Sequence, residues 1–338
     1  MSLKVLVSIV TYNSGRHLET CLEGLNRQSY RNFDVCIFDN ASSDSTADII
    51  ERHRADIRTV HVSDKNIGFC AAQNRVIDSV SSEYVLVLNP DVILDEHFLE
   101  TLVKEMERNR EAGAASGKLY RWSKSLSIAE MPPKTAESGV LDSAGIYFTR
   151  NQRHFDRGSG EIDTGEYSRK EYVFGVSGAA AFYRRAMLDD IRQGIEYFDE
   201  DFFAYREDAD LAWRAQWMGW RCLFVPDAKG FHERQVLPQG RSRLPDAINM
   251  HSFKNRFLLR VKNMDPGTWA VNFIPTTGRD VLALGYVLLR EWSSIPGFFL
   301  FVKALPKALK NRRSLKRNRR IQPSEIRKWF TGKQSEPI

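Results

Sequence analysis

The 338-residue sequence predicts an α/β fold, a mostly parallel sheet flanked by helices and followed by a helical, basic C-terminal extension. Three observations lead to this prediction. Strand-like and helix-like segments alternate over the first 120 residues, and an acidic helical segment follows residue 200. From about residue 250 the spacing is helical and Lys and Arg accumulate. Strands that alternate with helices favour parallel pairing, because each crossover helix covers one face of the sheet.

Four strands are predicted in the first part of the chain. They are apolar, often β-branched runs at Lys4–Thr11, Phe33–Phe38, Arg58–Val62 and Tyr84–Leu88. The helices predicted between them are Gly15–Gln28, a segment from Ser43 or Asp44 to about His53, and Gly68–Ser79. Ligands of such sheets bind beyond the carboxyl ends of the strands, so the residues that follow each strand are the first candidates for a site.

The rest of the chain has weaker signals. Residues 121–170 are polar and contain Gly without periodicity, which predicts a long excursion. Regular structure is predicted again at Tyr172–Tyr183, in a helix from Glu207 to about Met218, and in the short strand Cys222–Val225. We therefore predict one domain over residues 1–250, with halves that meet near residue 120, and a helical basic region over residues 251–338.

The formal net charge of +6 is unevenly distributed. Nine basic residues and no acidic one lie between Lys303 and Arg320, and without these nine the chain carries −3. The preceding segments Val281–Leu289 and Gly297–Val302 are apolar, with Trp292 between them, and neither can span a bilayer. This combination predicts a region that lies on an anionic membrane surface. Core packing followed by a solvated run of charges is the alternative interpretation.

The cysteine pattern and the N-terminus bear on the compartment. Four scattered cysteines without a CxxC pair favour a reducing environment over a disulfide framework or a zinc site. The chain starts with a strand-like run and lacks the features of a signal peptide. We expect a cytoplasmic protein that is peripheral on the inner face of the cell membrane.

Polar residues follow all four predicted strands. These segments are Thr11-Tyr12-Asn13, Asp39 to Asp44, Asn66-Ile67-Gly68 and Asn89-Pro90-Asp91. One polar loop is ordinary, but four in succession at the predicted binding edge indicate a site. Asp91 can hold Mg²⁺ or Mn²⁺, and such a metal can bridge two phosphates. His232, just beyond a predicted strand, is a second candidate ligand. The alternatives are a turn built on Asn89-Pro90 and a structural histidine.

An acidic cluster with interleaved aromatic residues lies between Asp199 and Asp210 and contains six carboxylates. Glu207 and Asp208 fall in the first turn of the predicted helix. Acidic residues are favourable at a helix N-terminus, and this explains one or two of them. A carboxylate among Phe203, Tyr205 and Trp213 would be partly desolvated, which raises its pKa and suits a general base.

These segments together carry a family resemblance. They are Ser8–Asn13, Asp39–Asp44, Asn66–Phe69 with Asn74, Leu88–Asp91, and Phe203–Leu211 with Arg214 and Gly219. In this order and spacing they resemble glycosyltransferase family 2 over roughly residues 4–235. The resemblance implies a GT-A fold, an inverting single displacement and a nucleotide diphosphate bound through Mg²⁺ or Mn²⁺. Residues 1–120 would then form the nucleotide half of the domain, and residues 121–250 the acceptor half.

The resemblance also implies roles, position by position. Asp91 and His232 would ligate the metal, and Asp208, with Glu207 beside it, would be the catalytic base. Asp39 would contact the nucleotide base. The residues that would hold the nucleotide-sugar are Thr11, Tyr12, Asn13, Asp39, Asn66, Gly68 and Asn89.

One position departs from the family pattern. The usual Asp-x-Asp is here Asn89-Pro90-Asp91, and an amide ligates a metal more weakly than a carboxylate. Similar triplets occur in members that resemble rhamnosyltransferases, which favours deoxythymidine-diphosphate rhamnose as the donor. A uridine- or guanosine-diphosphate sugar is the alternative. The expected acceptor is a saccharide, free or linked to a polyprenyl diphosphate, in the synthesis of cell-surface polysaccharide.

Other classes fit the sequence less well. A dinucleotide-dependent dehydrogenase would need a Gly-x-Gly-x-x-Gly turn after the first strand, where Thr11–Gly15 stands instead. A sugar nucleotidyltransferase would be expected to show a Gly-rich basic loop there. Nucleic-acid binding would rest on the basic tail alone, which contains few aromatic residues. A catalytically inactive binding protein is disfavoured because Asp91, Asp208 and His232 occur together.

Overall fold

The computed structural model describes residues 3–122, 139–234 and 245–338. In these ranges the strands are β1 Val5–Thr11, β2 Phe33–Asp39, β3 Ile57–Val62, β4 Tyr84–Leu88, β5 Val92–Leu94, β6 Ala112–Arg121, β7 Leu141–Ser143, β8 Ile146–Phe148, β9 His154–Asp156, β10 Glu171–Val173, β11 Ala180–Arg184, β12 Arg221–His232 and β13 Ser335–Pro337. The helices are α1 Leu18–Asn26, α2 Thr46–Arg52, α3 Phe69–Ser79, α4 Phe98–Arg108, α5 Arg185–Asp190, α6 Glu207–Trp217, α7 Asp246–Asn263, α8 Pro266–Val271, α9 Phe273–Arg290, α10 Pro296–Asn318 and α11 Pro323–Arg327.

The central sheet has the strand order β13-β10-β12-β6-β11-β4-β1-β2-β3. Strands β3, β2, β1 and β4 are parallel to one another, with Thr11 opposite Asp39 and Ile9 opposite Leu88. Strand β11 is antiparallel to both β4 and β6, whereas β12 is parallel to β6. The predicted α/β fold with a mostly parallel sheet flanked by helices is therefore confirmed, and the antiparallel strands belong to its second half.

Burial explains why the strands of the first half could be predicted from the sequence. Every residue of β1 and β4 is buried, as expected for strands covered by helices on both faces. Their sequences are correspondingly continuous apolar runs without polar alternation. Two buried clusters, one on each face of the sheet, contain most of these side chains.

One prediction about the second half was wrong, and another gave a strand that is longer in the structure. Residues 121–170 were expected to lack regular structure, but β7, β8 and β9 lie there, and residues 123–138 fall outside the described ranges. These strands have three residues each, too few for a recognisable period. The strand predicted at Cys222–Val225 continues to His232, because beyond a register shift at Val225–Lys229 it pairs with β6 and β5. Pro226 lies in that irregularity, where a missing N–H is tolerated.

The C-terminal region packs against the rest of the chain. The boundary predicted at residue 250 lies inside α7, and Trp329 and Phe330 are buried in the same cluster as the sheet residues. Strand β13 pairs with β10 and so covers one edge of the sheet. Lys262 of α7 is 1% exposed and binds Asp199 and Asp210 over 2.5 and 2.9 Å.

The basic tail is partly neutralised by this packing. Its residues were expected to lack acidic partners, but Lys307 binds Glu196 and Asp199 over 2.7 and 2.9 Å. Arg320 binds Asp190 over 2.7 Å. The partners lie more than 100 residues away in sequence, so local charge patterning could not reveal them.

Candidate active site

Three polar side chains meet where β1 and β2 end. Thr11 Oγ1 donates to Asp39 Oδ1 over 2.8 Å, and Ser42 Oγ donates to the same oxygen over 2.5 Å. The Ser42 N–H donates to the other carboxylate oxygen over 3.2 Å. Thr11 and Asp39 are both buried, so the carboxylate is held in one orientation at the sheet edge. The ring of Tyr12 is 54% exposed beside it and is free to face a ligand.

Asparagine side chains connect the loops that follow the strands. Asn40 Nδ2 donates to Asn66 Oδ1 over 2.9 Å, and the same oxygen accepts the Gly68 N–H over 2.9 Å. Asn13 adopts a left-handed φ of 51°, and its Oδ1 accepts the Ser43 N–H over 2.8 Å. The polar residues after β1, β2 and β3 thus form one connected edge, and the sequence analysis did not assign a role to Asn40.

Gly68 joins this edge to the acidic motif. Its φ is +88°, and a Cβ there would lie 2.5 Å from the ring of Phe203. Both the backbone conformation and the close approach therefore require glycine. The N–H of Cys70 donates to the Phe203 carbonyl over 3.0 Å, which ties the start of α3 to the loop before Glu207.

Asp91 and His232 are brought together by strand pairing. Strand β5 runs antiparallel to the end of β12, with Val92 opposite His232, and Asp91 directly precedes Val92. His232 Nε2 lies 3.4 Å from Asp91 Oδ1. Asn89 precedes them at the end of β4, where its N–H donates to the Ala179 carbonyl over 2.9 Å.

Asp142 orients the His232 ring. It is fully buried on β7, and its Oδ2 lies 2.7 Å from His232 Nδ1. Arg234 binds the same carboxylate over 2.7 Å and also pairs with Asp156 over 2.5 Å. Burial lowers the pKa of His232, but its bonds to Asp142 and Asp91 outweigh this and raise it to about 9. The sequence analysis missed Asp142 because nothing in the polar segment around it signalled a strand.

Asp91 and His232 could hold one divalent cation only if a bound diphosphate supplied further oxygen ligands. Within the described ranges no group of three or more His, Cys, Asp and Glu side chains is arranged to hold a metal. Among the described residues, buried Asp91 Oδ1 has only the 3.4 Å ion pair with His232 Nε2, while Asp142 occupies the other ring nitrogen, Nδ1. A histidine that ligates a metal commonly donates its other ring N–H to a carboxylate, as His232 can to Asp142. Two protein ligands leave the other coordination positions to phosphate oxygens and water, as is common for Mg²⁺.

The loop before Glu207 has an unusual backbone. Phe203, Tyr205 and Arg206 have φ values of 65°, 70° and 72°. The Ala204 N–H donates to the Phe202 carbonyl over 2.8 Å, which makes Phe203 the centre of a strained γ-turn. Non-glycine residues persist in such conformations only where the surroundings impose them, and they cluster at functional sites.

Helix α7 imposes this conformation. Asn255 is fully buried, and its Nδ2 lies 2.9, 2.9 and 2.7 Å from the carbonyl oxygens of Phe202, Ala204 and Tyr205. Lys254 Nζ donates to a fourth carbonyl, that of Asp201. The sequence analysis missed both residues, because a helical pattern does not indicate what its polar positions contact.

Asp208 and Glu207 have different environments at the start of α6. Asp208 accepts the N–H groups of Gly178 and Ala209 over 3.1 and 2.7 Å. Burial raises the pKa of Asp208 to about 6, and the charge of Asp156 adds to this. Burial raises the pKa of Glu207 to about 8, and the charge of Asp208 adds to this. The two N–H groups that Asp208 accepts favour its ionised form and so lower its pKa against the effect of burial, which suits Asp208 to the role of a base.

The other carboxylates of the acidic cluster are structural. Asp199 and Asp210 bind Lys262, and Asp210 also binds Arg214 over 2.9 Å. Trp213, expected beside the candidate base, is fully buried in the core. Tyr205 does lie at the site: burial and the charges of Glu207 and Asp91 raise its pKa to about 12. Glu207, the neighbour of the candidate base, and Asp91, a candidate metal ligand, thus both act on the Tyr205 hydroxyl.

Comparison with known proteins gives one family match. The model of glycosyl transferase family 2 matches residues 6–192, which is more than half of the chain. A relative from Mycobacterium tuberculosis, N-acetylglucosaminyl-diphospho-decaprenol L-rhamnosyltransferase, is 27% identical over 246 residues, covering 68% of this chain and 75% of that protein. The poly-beta-1,6-N-acetyl-D-glucosamine synthase of Staphylococcus aureus is 22% identical over 64% of this chain and 47% of its own.

Solved structures agree on the fold. S. aureus TarS in complex with UDP-GlcNAc superposes with a TM-score of 0.55 at 15% identity, covering 98% of this chain and 93% of that one. GalNAc-T7 with UDP, GalNAc and Mn²⁺ has a TM-score of 0.57 at 11% identity, covering 77% of this chain and 48% of that one. Together with the family match, these likenesses establish the GT-A fold, and the chain belongs to glycosyltransferase family 2.

Proposed function

We propose that this protein is an inverting, metal-dependent glycosyltransferase that transfers rhamnose from deoxythymidine-diphosphate rhamnose to a saccharide acceptor linked to a polyprenyl diphosphate. The observation that supports catalysis most strongly is the pair Asp208 and Glu207 at the start of α6, where burial raises the pKa of both carboxylates and the N–H groups of Gly178 and Ala209 orient that of Asp208. A protein that only bound sugars would not need a desolvated, oriented carboxylate of this kind.

Asp208 acts as the general base. The acceptor oxygen forms a bond to the anomeric carbon while the bond from that carbon to the diphosphate oxygen breaks. The hydroxyl proton passes to Asp208, and the electron pair leaves with the diphosphate. The N–H groups of Gly178 and Ala209 fix the orientation of the carboxylate, so the attacking hydroxyl is aligned opposite the leaving group.

Asp91 and His232 would hold the metal, and a bound Mg²⁺ or Mn²⁺ would supply positive charge for the leaving diphosphate. With Asn89 in place of a carboxylate, the protein would contribute one negative charge to this centre, so we expect a modest metal affinity that rises when the diphosphate is bound. Asp142 and Arg234 keep His232 in the orientation that exposes Nε2.

The choice of donor and acceptor is supported by the relatives. The mycobacterial protein is named for rhamnosyl transfer to an N-acetylglucosaminyl-diphospho-decaprenol, and the Asn89-Pro90-Asp91 triplet favours the same donor. In the nucleotide site Thr11 and Ser42 orient Asp39 toward the base, and Tyr12 lies beside it. A uridine-diphosphate sugar is the alternative donor, as in the TarS complex.

A polyprenyl-linked acceptor requires contact with a membrane surface, and α8, α9 and α10 suit it. Of the 21 large apolar residues exposed in the described ranges, 16 lie between Trp269 and Leu309. The basic side chains that are exposed on α10 and form no ion pair with a described residue are Lys303, Lys310, Arg313, Lys316 and Arg317. No helix in residues 3–122, 139–234 or 245–338 is long and apolar enough to cross a bilayer. The surface therefore suits peripheral docking on the inner face of the cell membrane.

The first prediction separates the two carboxylates. Asp208→Asn removes the base, so turnover falls at least roughly a hundredfold while donor affinity is unchanged. Glu207→Gln resembles the form protonated at neutral pH and keeps most activity. Because the base must be ionised, the rate constant kcat/KM of the wild type falls as pH drops below about 6. Steady-state kinetics across pH check this, and an active Asp208→Asn with an inactive Glu207→Gln would show that the base is misassigned.

The second prediction concerns donor and metal. Calorimetry with deoxythymidine-, uridine- and guanosine-diphosphate sugars should give the tightest binding for deoxythymidine-diphosphate rhamnose, and only with Mg²⁺ or Mn²⁺ present. Asp91→Ala weakens this binding in the presence of metal and leaves the residual binding in chelator unchanged. Asp95→Ala serves as the control. Asp95 follows β5 at the end opposite Asp91, and its N–H donates to the Lys229 carbonyl. Preference for another nucleotide, or equal affinity with and without chelator, would contradict the donor or the metal assignment respectively.

The third prediction tests the docking surface. Leu289 and Ile195 are both 79% exposed, but only Leu289 lies on α9. Leu289→Asp should lower sedimentation with phosphatidylglycerol vesicles several-fold, whereas Ile195→Asp should not change it, because only the first places a charge in the docked face. A wild-type chain that ignores these vesicles at low salt would contradict membrane docking and favour an acceptor free in solution.

A further inference from the structure

A cavity of about 440 Å³ lies between the C-terminal helices, away from the candidate active site. Phe257, Trp269 and Phe301 form its apolar walls, and Arg260, Arg312 and Thr276 are among its polar lining residues. Trp269 is 47% exposed and belongs to the apolar surface proposed above to face the membrane. The cavity therefore opens where that surface begins.

Two of its polar groups are unsatisfied. Arg312 is half-buried on α10, and its one hydrogen bond to a described residue runs from Nη1 to the Val261 carbonyl over 2.7 Å. No carboxylate of the described residues lies within ion-pair distance, and burial holds the pKa of Arg312 below its usual value. Thr276 is 3% exposed, and its Oγ1 has no partner among the described residues. A buried hydroxyl and an unneutralised guanidinium both cost free energy unless a ligand satisfies them.

The carboxylates of the cavity are already engaged. Asp280 binds Arg260 through both oxygens, over 2.9 and 2.8 Å. Asp265 caps the start of α8 by accepting the N–H groups of Gly267 and Thr268 over 2.9 and 3.1 Å, and it also accepts the Thr268 hydroxyl. The charge of Asp265 partly offsets that of Arg312 but forms no ion pair with it among the described residues, and Asp280 is paired with Arg260, so the cavity still favours an anion with acceptor oxygens.

The Met264 end of the cavity lies at the far end of α6 from Asp208, which disfavours the diphosphate of the acceptor as that anion. Helix α6 leads away from Asp208 to Trp217, nine residues or about 13.5 Å at 1.5 Å per residue. The Trp217 indole N–H donates to the Asn263 carbonyl over 2.9 Å, next to Met264 in the cavity wall. A diphosphate bonded directly to the acceptor sugar would stay within one sugar ring of Asp208. A lipid of the surrounding membrane has no such restriction.

We propose that this cavity binds the phosphate group of an anionic phospholipid, with Arg312 as its cation and the Thr276 hydroxyl as a hydrogen-bond donor. The acyl chains lie against Trp269 and the apolar faces of α8 and α9. This proposal rests on the membrane docking proposed above and adds a headgroup site to it. Such a site would fix the height and rotation of the enzyme on the surface, and so the approach of the lipid-linked acceptor to Asp208.

Adjacent arginines on α10 allow a matched test. Arg312 lines the cavity, whereas Arg313 is exposed on the surface. Full-length chains carrying Arg312→Gln, Arg313→Gln or Thr276→Val are sedimented with phosphatidylcholine vesicles that contain or lack phosphatidylglycerol, at low and at high salt. Salt screens exposed charges more than buried ones. At high salt, Arg312→Gln should therefore still lower binding to phosphatidylglycerol vesicles at least roughly tenfold, the scale of a charge-assisted hydrogen bond, whereas Arg313→Gln should have no effect.

Thr276→Val covers the case in which Arg312→Gln fails to fold. It preserves shape and removes the unpartnered hydroxyl, so thermal stability without lipid should hold or rise while phosphatidylglycerol binding falls. Equal losses for Arg312→Gln and Arg313→Gln, or full thermal stabilisation by inorganic phosphate alone, would overturn the lipid site. In those cases the wild type still binds anionic vesicles, which distinguishes failure of this site from failure of membrane docking.

Discussion

The position of the catalytic carboxylates depends on one clamp, the contact of the Asn255 side chain with a strained loop. Three non-glycine residues of that loop have left-handed φ values, at a cost of about 1–3 kcal/mol each. Asn255 donates to three of its carbonyls and holds the loop in the conformation that begins α6 at Glu207. The family match ends at residue 192, so both the loop and the clamp lie beyond it. The C-terminal helices therefore contribute to the candidate active site.

The same helices join the candidate active site to the surface that we propose docks on a membrane. Helix α7 contacts the loop through Asn255 and binds Asp199 and Asp210 through Lys262, while α10 reaches Asp199 through Lys307. Removing one partner of such a buried ion pair leaves an uncompensated charge and strongly destabilises the fold, so these contacts hold the helices in a fixed arrangement. A surface formed by α8, α9 and α10 consequently has a fixed geometry relative to Asp208. In the proposed function, docking of that surface would set the distance from the candidate active site to a lipid-linked acceptor.

The sequence was informative where one strand or one motif decides the structure. The parallel strands and the residues after them could be predicted, because continuous apolar runs and polar strand ends are local signals, and the fold and family are confirmed. Asp142, Asn255 and the partners of Lys307 could not be predicted. Each of these residues acts through a contact between segments far apart in the chain. Three-residue strands and ordinary helical spacing do not predict such contacts.

The most direct measurement compares turnover and donor affinity in Asn255→Ala. Loss of the hydrogen bonds from Asn255 should release the loop, so kcat falls at least roughly tenfold. The fall of activity at acidic pH, near pH 6, should shift because the surroundings of Asp208 change. Nucleotide-sugar affinity should stay at the wild-type value. The matched control is Asn311→Ala on α10, which removes a hydrogen bond to Gln193. It should leave kcat, the pH profile and the nucleotide-sugar affinity unchanged. A folded Asn255→Ala enzyme with wild-type kcat and pH profile would contradict the claim that α7 positions the base.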